Sequence, residues 1–249
     1  MTKIEANTPL VAKHLSKQFG GLLAVADMSM EIRDREIVGL IGPNGAGKST
    51  TFNLLSGFLP PTGGRLFIDG KDVTGRQPES ISRLGLVRTF QHGSLMRSMT
   101  VEDNILIGAI GGMPGATQTS RRLRVQEMAE LVGLQQVLQE TAGNLPHGMQ
   151  RLVSIAIAFA SHPRLLCLDE PLTGLNQTEV ASVLAMFRHI RDNYGSSILL
   201  VEHNMKAVMQ TCDRLYVLHH GKLLATGTPA EISKNQQVLS AYLGNANVH

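Results

Sequence analysis

The spacing of apolar and polar positions changes character along this chain. Leu10-Val11-Ala12 and the stretch from Ala26 to Ile32 alternate apolar with polar residues, as half-exposed antiparallel strands do. Beyond Glu36 the pattern becomes a short apolar run, Ile37-Val38-Gly39-Leu40-Ile41, which stops at glycine. A run too short for a helix and apolar on both alternating sets predicts a strand buried on both faces, the usual state of a parallel strand. Leu165-Leu166-Cys167-Leu168 and Ser197-Ile198-Leu199-Leu200-Val201 repeat it, with helix-period segments between. Strand, loop and helix in this order predict a mostly parallel sheet covered on both faces, with its ligand crevice at the C-terminal strand ends.

From about residue 92 to 160 the period is helical. Val101 to Ile110 and Arg121 to Leu134 read as helices separated by a breaker, Gly111-Gly112-Met113-Pro114-Gly115. Tyr216 to Leu224 reads as a hairpin around His220-Gly221, and the tail from Thr228 to His249 as helical and polar. The expected organisation is an α/β core from 8–91 and 161–230, a helical lobe over 92–160, and a helical tail over 231–249.

One segment adds chemistry. Gly42-Pro43-Asn44-Gly45-Ala46-Gly47-Lys48-Ser49 fits G-x-x-x-x-G-K-[ST], follows a predicted strand and opens a predicted helix, Ser49 to Gly57, through Thr50. Glycines let successive backbone N–H groups converge on phosphate oxygens, and the helix start adds partial positive charge. Lys48 is expected to reach the β- and γ-phosphate oxygens and the Ser49 hydroxyl to ligate magnesium, so ATP and Mg²⁺ are the expected ligands of a P-loop NTPase core. Asp169 and Glu170 follow directly on an apolar run, which puts both carboxylates at the crevice edge. Asp169 is expected to hold the metal through water and Glu170 to orient or deprotonate the attacking water.

Composition narrows the class. Of 249 residues, 43% are hydrophobic and 17% charged, which suits a folded globular chain and not a disordered one. A net charge of +3, from 23 basic and 20 acidic residues, is too small an excess to argue for nucleic acid. The one basic cluster, Arg121-Arg122-Leu123-Arg124, is expected to cap or solvate a helix. Cys167 and Cys212 lie in apolar contexts without metal spacing and read as buried thiols in a reducing compartment. Met1-Thr2-Lys3-Ile4-Glu5 lacks a secretory pattern, and no apolar stretch approaches the roughly 20 residues that span a bilayer. Any membrane role is therefore expected to run through a partner.

With Gln91, Leu145 to Arg151, Asp169-Glu170-Pro171 and His203 following the phosphate loop in that order, the chain resembles the nucleotide-binding subunits of ABC transporters from about Thr8 to Gly244. The resemblance implies a RecA-like core with an antiparallel N-terminal β part and an inserted helical lobe. It implies two such ATPase subunits, identical or different, sandwiching two ATP molecules head to tail and driving two permease subunits from the cytoplasmic face of the inner membrane. By the same resemblance Phe19 stacks on adenine, Gln91 contacts magnesium and the attacking water, Thr173-Gly174-Leu175-Asn176 crosses the dimer interface, and His203 reaches the γ-phosphate. Lys48, Gln91, Glu170 and His203 are then the catalytic set.

The chain departs from the family in the segment offered to the partner's ATP. The usual Leu-Ser-Gly-Gly-Gln reads Leu145-Pro146-His147-Gly148-Met149 here, followed by the usual Gln150-Arg151. Pro146 has neither hydroxyl nor N–H, though proline suits a helix start and His147 can supply a donor. Unequal sites are expected in a heterodimer.

Gly85-Leu86-Val87-Arg88-Thr89-Phe90-Gln91, Val201-Glu202-His203-Asn204-Met205 and Ala241-Tyr242-Leu243-Gly244 are together similar to the branched-chain amino acid importers of bacteria, which add an external solute-binding protein. The resemblance leaves two alternatives open, the ATPase of lipopolysaccharide export and a soluble ABC ATPase. Arg97, Met99 and Thr100 lie where that resemblance puts the permease contact.

Overall fold

The structure, a computed structural model, describes residues 8–89 and 95–243. The chain begins with β1 (Leu10–Phe19), β2 (Leu22–Ile32), β3 (Ile37–Ile41), α1 (Lys48–Leu55), β4 (Gly63–Ile68), β5 (Lys71–Asp72), α2 (Pro78–Ser82) and β6 (Leu86–Arg88). It continues through α3 (Val101–Gly112), α4 (Gln118–Val132), α5 (His147–Ala160), β7 (Leu165–Asp169), α6 (Gln177–His189), β8 (Ser197–Val201) and α7 (Met205–Thr211). Then come β9 (Arg214–His219), β10 (Lys222–Gly227), α8 (Pro229–Ile232) and α9 (Gln236–Leu243).

The short apolar runs form the centre of a six-stranded sheet ordered β10-β9-β3-β8-β7-β6, in which β9, β3, β8, β7 and β6 run parallel and β10 pairs antiparallel with β9. Their alternate side chains enter different cores. Ile37 and Ile41, Leu166 and Leu168, and Ile198 and Leu200 face the core shared with α5, α6 and α7. Val38 and Leu40, Leu165 and Cys167, and Leu199 and Val201 face Phe52 of α1 and the second sheet. Two dry faces are why these strands carry no polar alternation. Cys167 and Cys212 are both buried, and burial pushes the Cys167 thiol up to about 12.

The second sheet, ordered β2-β1-β4-β5, is antiparallel. Its first two strands are much longer than Leu10–Ala12 and Ala26–Ile32. His14 and Asp27 have left-handed φ of 54° and 55°, and the β1–β2 register shifts between Ala12 and Leu15. Such bulges move the following residues to the other face and so erase the alternation that marks a strand in sequence.

The predicted breaker is also wrong in part. α3 runs through Gly111 and Gly112, and a Cβ at Gly108 or Gly112 would overlap the backbone of Ile157 on α5 or of Ser161, its C-cap. These glycines permit two helices to cross at close range. Arg124 does cap a helix, though not its own. It is buried, donates to Phe159 O at 2.7 Å and Ala160 O at 3.4 Å at the end of α5, and stacks on the rings of Phe159 and Tyr194.

Candidate functional site

Because β9, β3, β8, β7 and β6 are parallel, everything that follows their C-terminal ends emerges on one edge. Leu40 pairs with Val201 and Val201 with Asp169, so the loop after β3, the Asp169-Glu170 pair and the Glu202-His203 pair are neighbours there. Gln91 and Phe90 lie outside the described residues.

The phosphate loop is held by backbone bonds. Ala46 N donates to Pro43 O at 3.1 Å, and the β9–β10 turn reaches over it, with Gly221 N donating to Ala46 O at 3.0 Å. Ala26 N donates in turn to Gly221 O at 2.8 Å, which ties the loop to β2. Gly47 occupies the N-cap of α1 at φ 98°, where a Cβ would press on Ala24 O at 2.8 Å. No side chain caps α1, so its first N–H groups face the crevice. Gly45, at φ 77°, faces open space where a phosphate can approach the backbone. Lys48 Nζ folds onto its own loop, donating to Gly42 O at 2.8 Å and Pro43 O at 3.1 Å. Burial lowers its pKa, while Glu170 and Asp169 act the opposite way.

Asp169 is the last residue of β7 and is buried. Glu170 follows at φ 47°, a left-handed conformation uncommon for a non-glycine residue, and is held there by its N–H to Val201 O at 2.8 Å. His203 Nδ1 lies 3.7 Å from Glu170 Oε1 and 3.9 Å from Glu202 Oε2.

Two residues near this edge escaped assignment from sequence. Arg88, at the end of β6, lies against the rings of Phe52 and Phe58, donates to Asn53 Oδ1 at 2.7 Å and Ser56 Oγ at 2.9 Å, and attracts Asp169. Burial pushes the Tyr242 phenol of α9 up to about 12, with the backbone of Gly42 acting the opposite way. The signal for Arg88 was its place in the run Gly85 to Gln91, and for Tyr242 its place in the tail motif.

The segment Leu145 to Gln150 starts α5. Leu145 is buried, Pro146 takes the N-cap at φ −53° and ψ 150°, and His147 and Gly148 form the first turn, followed by Met149. Gln150 Nε2 donates to Leu145 O at 2.7 Å and braces the turn. This helix end is intact without the serine. Phe19 ends β1, 47% exposed, with Lys17 Nζ 5.3 Å above its ring. Thr100 uses its hydroxyl to cap α3, accepting from Asp103 N at 3.0 Å, while Arg97 and Met99 are exposed.

A magnesium ion fits this donor set. Among the described residues no cluster of three or more His, Cys, Asp or Glu could hold a metal by itself. A hard cation here would draw on the Ser49 hydroxyl, phosphate oxygens and Asp169, as magnesium does when it keeps its waters. Burial raises the Asp169 carboxyl pKa despite the opposing pull of Arg88, and Glu170 and Glu202 push it the same way. The ionised carboxylate therefore costs the nucleotide-free fold stability, beginning above its unfolded pKa and growing until pH passes the raised folded value. Asp169→Asn is expected to raise the melting temperature of the nucleotide-free chain at pH 8, by about 2–4 °C for each kcal/mol relieved. The gain should shrink at pH values below the unfolded carboxylate range. Calorimetry at both pH values checks this, and equal melting temperatures at pH 8 would contradict it.

A glycine turn between a buried strand and a helix, with paired carboxylates at a nearby strand end, defines a P-loop nucleotide hydrolase. Residues 25–173 match the ABC transporter family and residues 222–246 match the branched-chain amino acid ATP-binding cassette transporter family. The chain is 44% identical over 252 residues, 96% of its own length and 99% of the relative, to the high-affinity branched-chain amino acid transport ATP-binding protein LivG of Salmonella typhimurium. It is 34% identical over 235 residues, 94% of its length and 97% of the relative, to the lipopolysaccharide export system ATP-binding protein LptB of Escherichia coli. A solved ATP-binding cassette of an ABC transporter in its ADP conformation superposes with a TM-score of 0.84 at 28% identity, covering 95% of this chain and 99% of the other. The chain belongs to the ABC transporter family, as one of its ATP-hydrolysing subunits.

Proposed function

We propose that this chain energises the import of branched-chain amino acids or related small solutes, bound at the cytoplasmic face of the inner membrane to two permease subunits, with an external solute-binding protein in the assembled system. The observation that carries this reading is the match of residues 222–246 to the branched-chain family, since the phosphate loop and carboxylates are common to ABC ATPases generally. Among the described residues no helix is long and apolar enough to cross a membrane, which fits an engine that works through separate permeases.

In this reading the α/β core, residues 8–91 and 161–230, holds ATP, the lobe 92–160 carries the segment given to the partner ATPase, and 231–249 is a tail whose described part includes α9. The residues of the loop from Gly42 to Thr50 bind the phosphates, and Phe19 stacks on adenine. Lys48 leaves its resting bonds to Gly42 O and Pro43 O for phosphate oxygens. Bound magnesium would supply charge neutralisation of the phosphates, held by Ser49, Gln91 and Asp169. Glu170 orients the attacking water and accepts its proton, and His203 donates toward the γ-phosphate. Leu145, Pro146, His147, Gly148, Met149 and Gln150 close the partner's site.

The test is reconstitution in vesicles with a partner ATPase, two permeases and the solute-binding protein of a branched-chain amino acid importer from the same genome. Leucine uptake that requires ATP and wild-type chain is the expected result. Retention of the chain by a lipopolysaccharide-binding permease pair, or by ribosomes, with no leucine uptake, would overturn the proposal.

A further inference from the structure

Glu202 stands at the C-terminal end of β8 with its side chain 1% exposed. A carboxylate removed from water persists where hydrogen bonds replace its hydration. Here backbone N–H groups do so, and they come from two different loops. Oε1 accepts from Leu172 N at 2.9 Å, and Oε2 accepts from His203 N at 3.1 Å and Asn204 N at 3.4 Å. One side chain thus fastens the loop that leaves Glu170 to the loop that carries His203.

The far end of the first loop is fastened separately. Asn176 caps α6 by accepting from Thr178 N and Glu179 N at 3.0 Å each, while Asn176 N donates to Glu179 Oε2 at 2.8 Å. Between these anchors Leu175 packs so near the start of α5 that a Cβ on Gly148 would lie 3.1 Å from its Cδ2. We infer that Glu202 is a positioning residue that holds Glu170 and His203 at their working separation and keeps Leu172 to Asn176 in place against Gly148. Its charge and its length both matter, because one oxygen serves each loop.

This inference rests on the assignment of Glu170 and His203 to hydrolysis, so Glu170→Gln is measured beside the Glu202 variants. In the assembled transporter Glu202→Gln keeps the side-chain length but turns one accepting oxygen into a donor facing N–H groups. Turnover should fall roughly 10- to 100-fold, the range expected when a reacting group is misplaced by about an ångström. The KM for ATP should stay near the wild-type value, because the phosphate loop is untouched, and Glu202→Asp should recover part of kcat. Wild-type kcat in Glu202→Gln overturns the inference, as does a KM that rises in step with the fall in kcat, or an Asp variant no better than Gln. Should the variants fail to fold, amide hydrogen exchange on the wild-type chain decides. The Leu172 and His203 amides should be protected together and respond together to ATP with magnesium, and independent exchange overturns the inference. Full turnover in Glu170→Gln would instead remove the site assignment, and this inference with it.

Discussion

Glu170→Gln in the assembled transporter is expected to lower ATP turnover by roughly 10²- to 10⁴-fold, the span associated with a positioned general base, while nucleotide still binds. The amide keeps the shape of the carboxylate and cannot accept a proton. Its backbone should stay in place, since the N–H bond to Val201 O that holds φ at 47° does not involve the side chain. The equivalent change in a different partner ATPase should cost less. This chain's own phosphate loop is complete, whereas the segment that the proposed dimer would lend the partner carries Pro146 where a serine hydroxyl is usual. A lost hydrogen bond to a charged group is worth about 1.5–3 kcal/mol, on the order of 10- to 100-fold, so the partner's site starts from a lower rate. Steady-state hydrolysis in the two single variants measures the difference, and equal losses would sink the asymmetry.

Lys48→Ala is expected to weaken ATP binding by about 2–5 kcal/mol, the cost of truncating one partner of a buried, hydrogen-bonded charge pair, and to abolish solute uptake with it. In the nucleotide-free chain the ammonium group is already half-buried and bonded to two loop carbonyls, at 2.8 and 3.1 Å. Its removal leaves Gly42 O and Pro43 O without that donor and the triphosphate without the ammonium group expected to meet it. Lys48→Arg should not restore function, because a planar guanidinium cannot occupy the space of a compact ammonium. Titration with a fluorescent ATP analogue, followed by uptake in vesicles, reads both effects. Full-strength uptake by Lys48→Ala would remove the phosphate-loop assignment altogether.

The contrast between these two residues and Glu202 shows which parts of the site could be read from the chain. Lys48 and Glu170 sit in local patterns whose geometry follows from adjacent residues. Glu202 is legible in sequence only as part of a family marker, because its partner Leu172 is a backbone N–H 30 positions away. Arg88 is similar, with its side-chain acceptors Asn53 and Ser56 35 and 32 positions away and a pair of phenylalanine rings about it. The antiparallel strands were underestimated where His14 and Asp27 break the alternation, and α3 was cut short at a glycine pair of which Gly112 serves a helix crossing.

By itself the sequence determined the buried parallel strands, the phosphate-binding turn with its lysine and serine, and the carboxylates at a strand end. Each of these depends on a few consecutive residues, through backbone φ, a supply of N–H groups, or burial on both faces of a sheet. The tertiary structure decided which strand ends share an edge, how near His203 comes to Glu170, and that Glu202, Arg88 and Tyr242 brace the site. Those contacts join residues of common types across the sheet order β10-β9-β3-β8-β7-β6, and such an order follows from packing of the whole core and from no single stretch of chain.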